Sequence, residues 1–221
     1  MNFDKNKLKT NPDILSTKFN YKLIIIGSST GGVSCIQNIF EKLTPDLPPI
    51  IVVQHMPENY TKSFAKRLNE ISKIHVKEAE DGDILKTNFA YIAKGGKHIS
   101  LDIIENQTNT NNSNSINYPK FKIKLSDFDK FNFIKPSIDI AFISASQVLK
   151  QNVFAILLTG MGKDGAEGLK IIKENGGYTI IQDKETSIVW GMPGHAYKIE
   201  AYNEILPIDN IAKRILELVR N

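Results

Sequence analysis

Ser29, His55 and Asp164 are the residues of this 221-residue chain whose types and places could do chemistry together. Ser29 is the centre of Gly27-Ser28-Ser29-Thr30-Gly31, which fits G-x-S-x-G, a strand, sharp turn and helix that expose a serine hydroxyl. A hydroxyl is a poor nucleophile until a base takes its proton. Histidine suits that task near neutral pH. A carboxylate then fixes the imidazole tautomer and stabilises the imidazolium. Together the three would support acyl transfer from an ester or amide. Each also has a plainer reading. Glycine-rich turns into helices bind phosphate or nucleotide, and on this stretch alone that reading stands level with a nucleophile. The Rossmann and Walker glycine patterns are both missing here. His55 alone reads as an ordinary strand-end histidine, and Asp164 as an acid in the first turn of a helix. Their joint placement after three apolar strands favours the triad.

The elements that must position these residues follow from apolar runs and glycine punctuation. Leu23 to Ile26 is a strand buried on both faces, followed by a helix with Val33, Ile36, Ile39, Phe40 and Leu43 at helical spacing. Ile50 to Val53 is a second buried strand, ending in Gln54-His55-Met56-Pro57, and residues 60–71 form an amphipathic helix. Ile74 to Val76 is a short strand. Phe89 to Ala93, Lys94 to Lys97 and His98 to Ile104 read as strand, turn and strand, a hairpin signal. Residues 106–116 are an asparagine-rich loop by composition, and Tyr118 to Leu125 alternates like an exposed strand. Ser137 caps a helix through Leu149, and Val153 to Leu158 is a third apolar strand. A glycine-rich turn, a helix at 166–174, a strand at Tyr178 to Ile181, a loop from Asp183 to Gly194 and a helix at 208–219 complete the chain. The expected fold is α/β: a doubly wound, mostly parallel sheet with an antiparallel hairpin. Residues 1–20 read as an N-terminal tail and 21–221 as one catalytic domain, without internal repeat. Sites in such sheets form beyond the carboxyl ends of the strands, where all three candidate residues fall. Met161 and Trp190 read as core, and His75 and His98 as structural or exposed, away from these strand ends.

Composition sets the outer limits. Hydrophobic residues make up 41%, enough for a globular core, and the net charge of +4 is spread without a polybasic block. Nucleic acid is therefore not an expected partner. The single cysteine, Cys35, excludes an intrachain disulfide and reads as core. No stretch has the length of a membrane span, and the N-terminus lacks an apolar signal region, so a cytoplasmic location without membrane insertion is expected. The four histidines and one cysteine form no close-spaced ligand pair, so neither metal nor cofactor is expected.

In order, the segments IIIGSSTGG, VVQHMP, AEDGD, AYIAKGGKH, PSIDIAF, ILLTGMGKDGAEGL and GGYTIIQDKETSIVWGMPG resemble the catalytic domain of the chemotaxis protein-glutamate methylesterase (CheB) family, over residues 22–200. The resemblance implies Ser29 as nucleophile, His55 as base and Asp164 as its orienting acid. It implies an oxyanion hole from the backbone N–H groups of Thr30 and Met161. It further implies hydrolysis of γ-glutamyl methyl esters on the cytoplasmic helices of chemoreceptors, in several members also deamidation of glutamines, with no cofactor. An esterase or amidase acting on small molecules, or a non-catalytic binding module, are the alternatives. Three departures stand out. Family members usually carry an N-terminal receiver domain, where this sequence has residues 1–20, so activity independent of phosphorylation is expected. His195 stands where the family commonly has a small residue, and a surface position is expected for it. Residues 106–116 read as an insertion.

Overall fold

The computed structural model describes residues 20–104, 120–127 and 134–220. The tail read at 1–20, apart from Asn20, and the loop at 106–116 lie outside the described residues. In chain order the elements are β1 (Leu23–Ser28), α1 (Gly32–Lys42), β2 (Ile50–Gln54), α2 (Glu58–Ile71), β3 (His75–Glu78) and β4 (Phe89–Ile92). Then come β5 (His98–Ile104), β6 (Lys120–Ser126), α3 (Ile138–Leu149), β7 (Val153–Leu157) and α4 (Ala166–Glu174). The chain closes with β8 (Tyr178–Gln182), α5 (Met192–Lys198), β9 (Glu204–Leu206) and α6 (Ile208–Arg220).

Seven strands form one sheet in the order β3-β4-β2-β1-β7-β8-β9, and every pairing in it is parallel. A parallel sheet needs both faces covered, which is why its central strands are continuous apolar runs. The period of two divides each strand between two cores. Leu23, Ile25, Ile51, Val53, Ala155 and Leu157 face one core, shared with Ile138, Phe142, Leu169 and Met192 of α3, α4 and α5. Ile24, Ile26, Val52, Phe154 and Ile156 face the other, shared with Ile36, Phe64 and Ile215 of α1, α2 and α6. The chain leaves β1 toward β2 on one side and returns through β7 on the other. That reversal of direction opens a crevice at the carboxyl ends of β2, β1 and β7.

The antiparallel pair is not the one expected. Phe89 to Ile92 lies in the main sheet, parallel to β2 and β3, while β5 pairs with β6, from His98↔Ser126 to Ile104↔Lys120. The glycine turn at 94–97 does not fold a hairpin because it is pressed against the start of α2. A Cβ on Gly95 would lie 2.5 Å from the Glu58 Cα. Burial explains the partition. β4 is covered on both faces, whereas β5 alternates and buries only Ile99 and Leu101 beside its first residue. Two further elements were not expected: α5 begins in the last three residues of the loop read at Asp183 to Gly194, and β9 lies in the stretch between that loop and the last helix. The proline and glycine that suggest a loop sit in the first turn of α5, where they are tolerated.

Ile138, the first residue of α3, fills the space between two glycines. A Cβ on Gly27 would lie 2.4 Å from Ile138 Cγ2, and one on Gly165 would lie 2.6 Å from it. Gly165 also has φ +89°, a conformation that disfavours any residue with a side chain. Gly165→Ala should therefore destabilise the protein by roughly 2–4 kcal/mol, combining strain and overpacking. Urea unfolding checks this, and a wild-type midpoint would contradict the packing described.

Candidate active site

Ser29 leaves the end of β1 and enters the turn to α1. Gly31 takes φ +83°, and the Gly32 N–H bonds the Ser29 carbonyl at 2.8 Å. No acidic residue occupies the first turn of α1, so its positive end is not neutralised from within. Ser29 is half-buried and Thr30 exposed. On the other side, Gly160 comes so close that a Cβ there would lie 2.8 Å from the Ser29 Cβ. The glycine at 160 thus lets the β7–α4 turn lie directly against the serine.

His55 follows β2, one residue past the Ser28↔Gln54 pair, and its N–H bonds the Ser28 carbonyl at 3.0 Å. Gln54 fastens the two strand ends together. Its Oε1 accepts from Ser28 Oγ at 2.6 Å, and its Nε2 donates to the carbonyls of Ser29 and His55, both at 3.0 Å. Gln54 is buried, and Gly32 leaves it room: a Cβ at Gly32 would lie 2.4 Å from Gln54 Oε1.

Asp164, in the turn between β7 and α4, is buried and takes two donors on each carboxylate oxygen. Oδ2 accepts from His55 Nε2 at 2.8 Å and from the Ile138 N–H at 2.7 Å. Oδ1 accepts from Ser137 Oγ at 2.9 Å and from the Asp139 N–H at 3.0 Å. The carboxylate therefore sits on the N-terminus of α3, where the helix field favours negative charge. Burial pushes its carboxyl up, but the hydrogen bonds from His55, Ile138 and Asp139 outweigh it and hold the group below the usual range. An ionised acid on Nε2 selects the tautomer that carries hydrogen there and leaves Nδ1 as the acceptor.

Three of the expected site residues are thus brought to one crevice, and two of them, His55 and Asp164, are hydrogen-bonded to each other. Among the described residues no hydrogen bond joins Ser29 Oγ to His55, a looseness common in unliganded sites. The N–H groups of Thr30 and Met161 are likewise not engaged by any described residue. The Met161 side chain, expected in the core, is 75% exposed, because the turn that carries it stands at the crevice rim. Trp190 is half-buried, and its indole N–H bonds the Gln182 carbonyl at 3.1 Å, a structural role. His195 is half-buried in α5. Cys35 is buried, its sulfur against the Gln182 side chain.

His98 lies nearer the site than expected. It is buried, and its Nδ1 accepts from the Ser137 N–H at 3.2 Å, one residue contact behind Asp164. Sequence reasoning missed Gln54, Asp139 and the second role of Ser137. The available signal was polar residues at the end of a buried strand and in the first turn of an apolar helix. A further polar clasp joins the turns around Ser29. The Ser29 N–H bonds the Thr159 carbonyl at 3.0 Å, and Thr159 Oγ1 donates to the Thr30 carbonyl at 3.0 Å. Gln54→Leu keeps the volume and removes the tie between the two strand ends. It should lower kcat by about 10- to 100-fold, through misplacement of Ser29 against His55, and change KM by less than about threefold. Steady-state kinetics on folded protein checks this; unaltered kcat would show that the tie is dispensable.

Comparisons with known proteins show the family to which this fold and sequence belong. The family model described as CheB methylesterase matches residues 24–215. Protein-glutamate methylesterase/protein-glutamine glutaminase 2 of Carboxydothermus hydrogenoformans is 41% identical over 214 residues, covering 96% of this chain and 57% of that protein. The protein-glutamate methylesterase/protein-glutamine glutaminase of Borreliella burgdorferi is 44% identical over 195 residues, covering 88% of this chain and 47% of that protein. The chain therefore spans roughly half the length of such relatives. The crystal structure of the Thermotoga maritima CheB methylesterase catalytic domain superposes with a TM-score of 0.79 at 39% identity, covering 90% of this chain and 99% of that one. No helix among the described residues is long and apolar enough to cross a membrane. With a matched fold and this identity over most of its length, the chain belongs to the CheB methylesterase family.

Proposed function

We propose that this chain is a serine hydrolase that removes methyl groups from γ-glutamyl methyl esters on the cytoplasmic helices of chemoreceptors, and that it deamidates receptor glutamines by the same route. Ser29 is the nucleophile, His55 the base and Asp164 the acid that orients it. The observation that carries the reading is the 2.8 Å bond from His55 Nε2 to an Asp164 carboxylate already held by three other donors. That bond leaves Nδ1 as the nitrogen that takes the Ser29 proton.

The mechanism follows from these positions. Ser29 Oγ attacks the ester carbonyl as its proton passes to His55 Nδ1. Negative charge grows on the carbonyl oxygen and is met by the N–H groups of Thr30 and Met161, aided by the positive end of α1. The imidazolium is stabilised by Asp164 and gives its proton to the departing methanol. Water then attacks the glutamyl-enzyme, again with His55 as base, and frees the carboxylate and Ser29. For a glutamine, ammonia leaves instead of methanol. The chain's own groups supply every proton and every charge contact, so the route uses no metal or cofactor.

Ser29→Ala and His55→Ala should each nearly abolish methanol release from methylated receptor while the protein stays folded. Asp164→Asn should cost on the order of 10⁴ in kcat, because the imidazole loses its orienting charge. The losses should not add, since the three act as a unit. Near-normal turnover by Ser29→Ala would end the nucleophile assignment. Hydrolysis of small esters, with methylated receptor left untouched, would move the activity to a small-molecule substrate.

The pH dependence has a definite sign. A base must be neutral, so kcat/KM should rise with pH to a plateau. Asp164, held below the usual carboxylate range, stays ionised throughout that rise. EDTA should leave the profile unchanged. A loss on chelation that a metal ion restores would overturn the cofactor-free route.

A further inference from the structure

Asp139 is a second carboxylate beside the site that the mechanism does not use. It is the second residue of α3, and its N–H bonds Asp164 Oδ1 at 3.0 Å. Its own Oδ1 accepts from the N–H of Gly168, in α4, at 2.7 Å. At that point the two helices nearly touch: a Cβ on Gly168 would lie 3.0 Å from the Asp139 carbonyl oxygen and 2.7 Å from the Phe142 Cβ. Asp139 therefore clasps the helix that supplies donors to Asp164 onto the helix that follows Asp164. The clasp is not sealed from water. Asp139 is half-buried and lines a groove of about 470 Å³ between α3 and the β5–β6 pair, with Ser137, Ser144, Asp102 and Lys124.

We propose that Asp139 is a positioning residue of the triad: it clasps the α4 backbone at Gly168, and its negative charge adds to that of Asp164 in holding the imidazolium of His55. The proposal rests on the triad reading above. Among the described residues, the groups that face Asp139 include the Gly165 backbone, which also lowers its carboxyl. Asp164 comes from the turn before α4, and the α4 backbone offers the Gly168 N–H. From the β5–β6 pair, Asp102 and Lys124 line the same groove with opposite charges, and His98 stands behind Ser137. Burial pushes the Asp139 carboxyl up to about 6, the Gly168 N–H opposes this, and the charge of Asp164 adds to it. Asp139 therefore gives up its proton at higher pH than an ordinary carboxyl, which brings its ionisation toward that of a histidine base. The two events are linked in one direction. Ionised Asp139 favours protonated His55, and loss of that charge releases the proton at lower pH.

Two substitutions separate the clasp from the charge. Asp139→Asn keeps an oxygen that can accept from Gly168 and removes the charge. Asp139→Ala removes both. The measurements are methanol release from methylated receptor across pH and NMR titration of the His55 ring, each on the full chain. Asp139→Asn should move the rising limb of kcat/KM, and the ring titration, to lower pH by roughly half a unit to one unit. Asp139→Ala should show the same displacement and, in addition, lose about 10- to 100-fold in plateau kcat, which Asp139→Asn largely restores. A limb and a ring titration that stay at their wild-type positions in Asp139→Asn would overturn the proposal, whatever the turnover. Ser29→Ala serves as control. If it remains active the hydrolytic reading fails, yet the ring titration still decides whether Asp139 acts on His55.

Discussion

The Asp164 carboxylate, buried and ionised on the N-terminus of α3, is the constraint on which the rest of the site depends. Burying a carboxylate is costly unless its oxygens are satisfied. Here both oxygens are filled, by Ser137 Oγ, the N–H groups of Ile138 and Asp139, and His55 Nε2. Three of these donors belong to one helix start. The helix must therefore begin at Ser137 and point at the carboxyl end of the sheet. The Ser137 hydroxyl does double service, donating to Asp164 and accepting from the Ile140 N–H at 3.4 Å as the N-cap. If the start of α3 shifted, Asp164 would lose donors and His55 would lose its orientation together.

Everything that supports α3 therefore serves the site indirectly. Ile138 fills the gap left by Gly27 in β1 and Gly165 before α4, so the helix start is wedged between the central strand and the turn carrying Asp164. The β5–β6 pair braces it from outside. Leu101 N–H bonds Ser144 Oγ at 2.8 Å, and His98 Nδ1 accepts from the Ser137 N–H. The small antiparallel sheet thus braces the helix start that holds Asp164, while the large parallel sheet carries Ser29 and His55 at its strand ends. Gln54 and Thr159 then bind the serine turn to its neighbours on either side, through side chains rather than strand pairing. Such fully satisfied polar networks fix geometry in a low-dielectric interior, and they leave little tolerance for losing a single member.

The reading of sequence and the structure part company where contacts become distant. The central strands were legible because a parallel sheet covered on both faces demands unbroken apolar runs, and Leu23–Ile26, Ile50–Val53 and Val153–Leu157 are such runs. The α3 start was legible from Ser137, and the serine turn from its glycines, because caps and turns are local chemistry. The partner of β4 was not. A glycine turn after an apolar strand is equally a hairpin or an exit from a sheet, and only the contact of Gly95 with the start of α2 decides between them. α5 was missed because a seven-residue helix is too short to show a period and begins with proline and glycine.

The same division runs through the site. The sequence by itself determined that a serine, a histidine and an aspartate stand at the ends of apolar strands, because strand ends are punctuated locally by glycine and proline. It determined the family as well, because long ordered motifs survive without a structure. Only the tertiary structure decided that Nε2 of His55 faces Asp164, across 109 residues of chain, and that Gln54 bridges the two strand ends. Only it placed His98 behind Ser137 and the Asp139 carboxylate on Gly168. A hydrogen bond between separate segments leaves no periodicity in either. Its existence depends on strand order and helix placement, which the packing of the two cores sets for the chain as a whole.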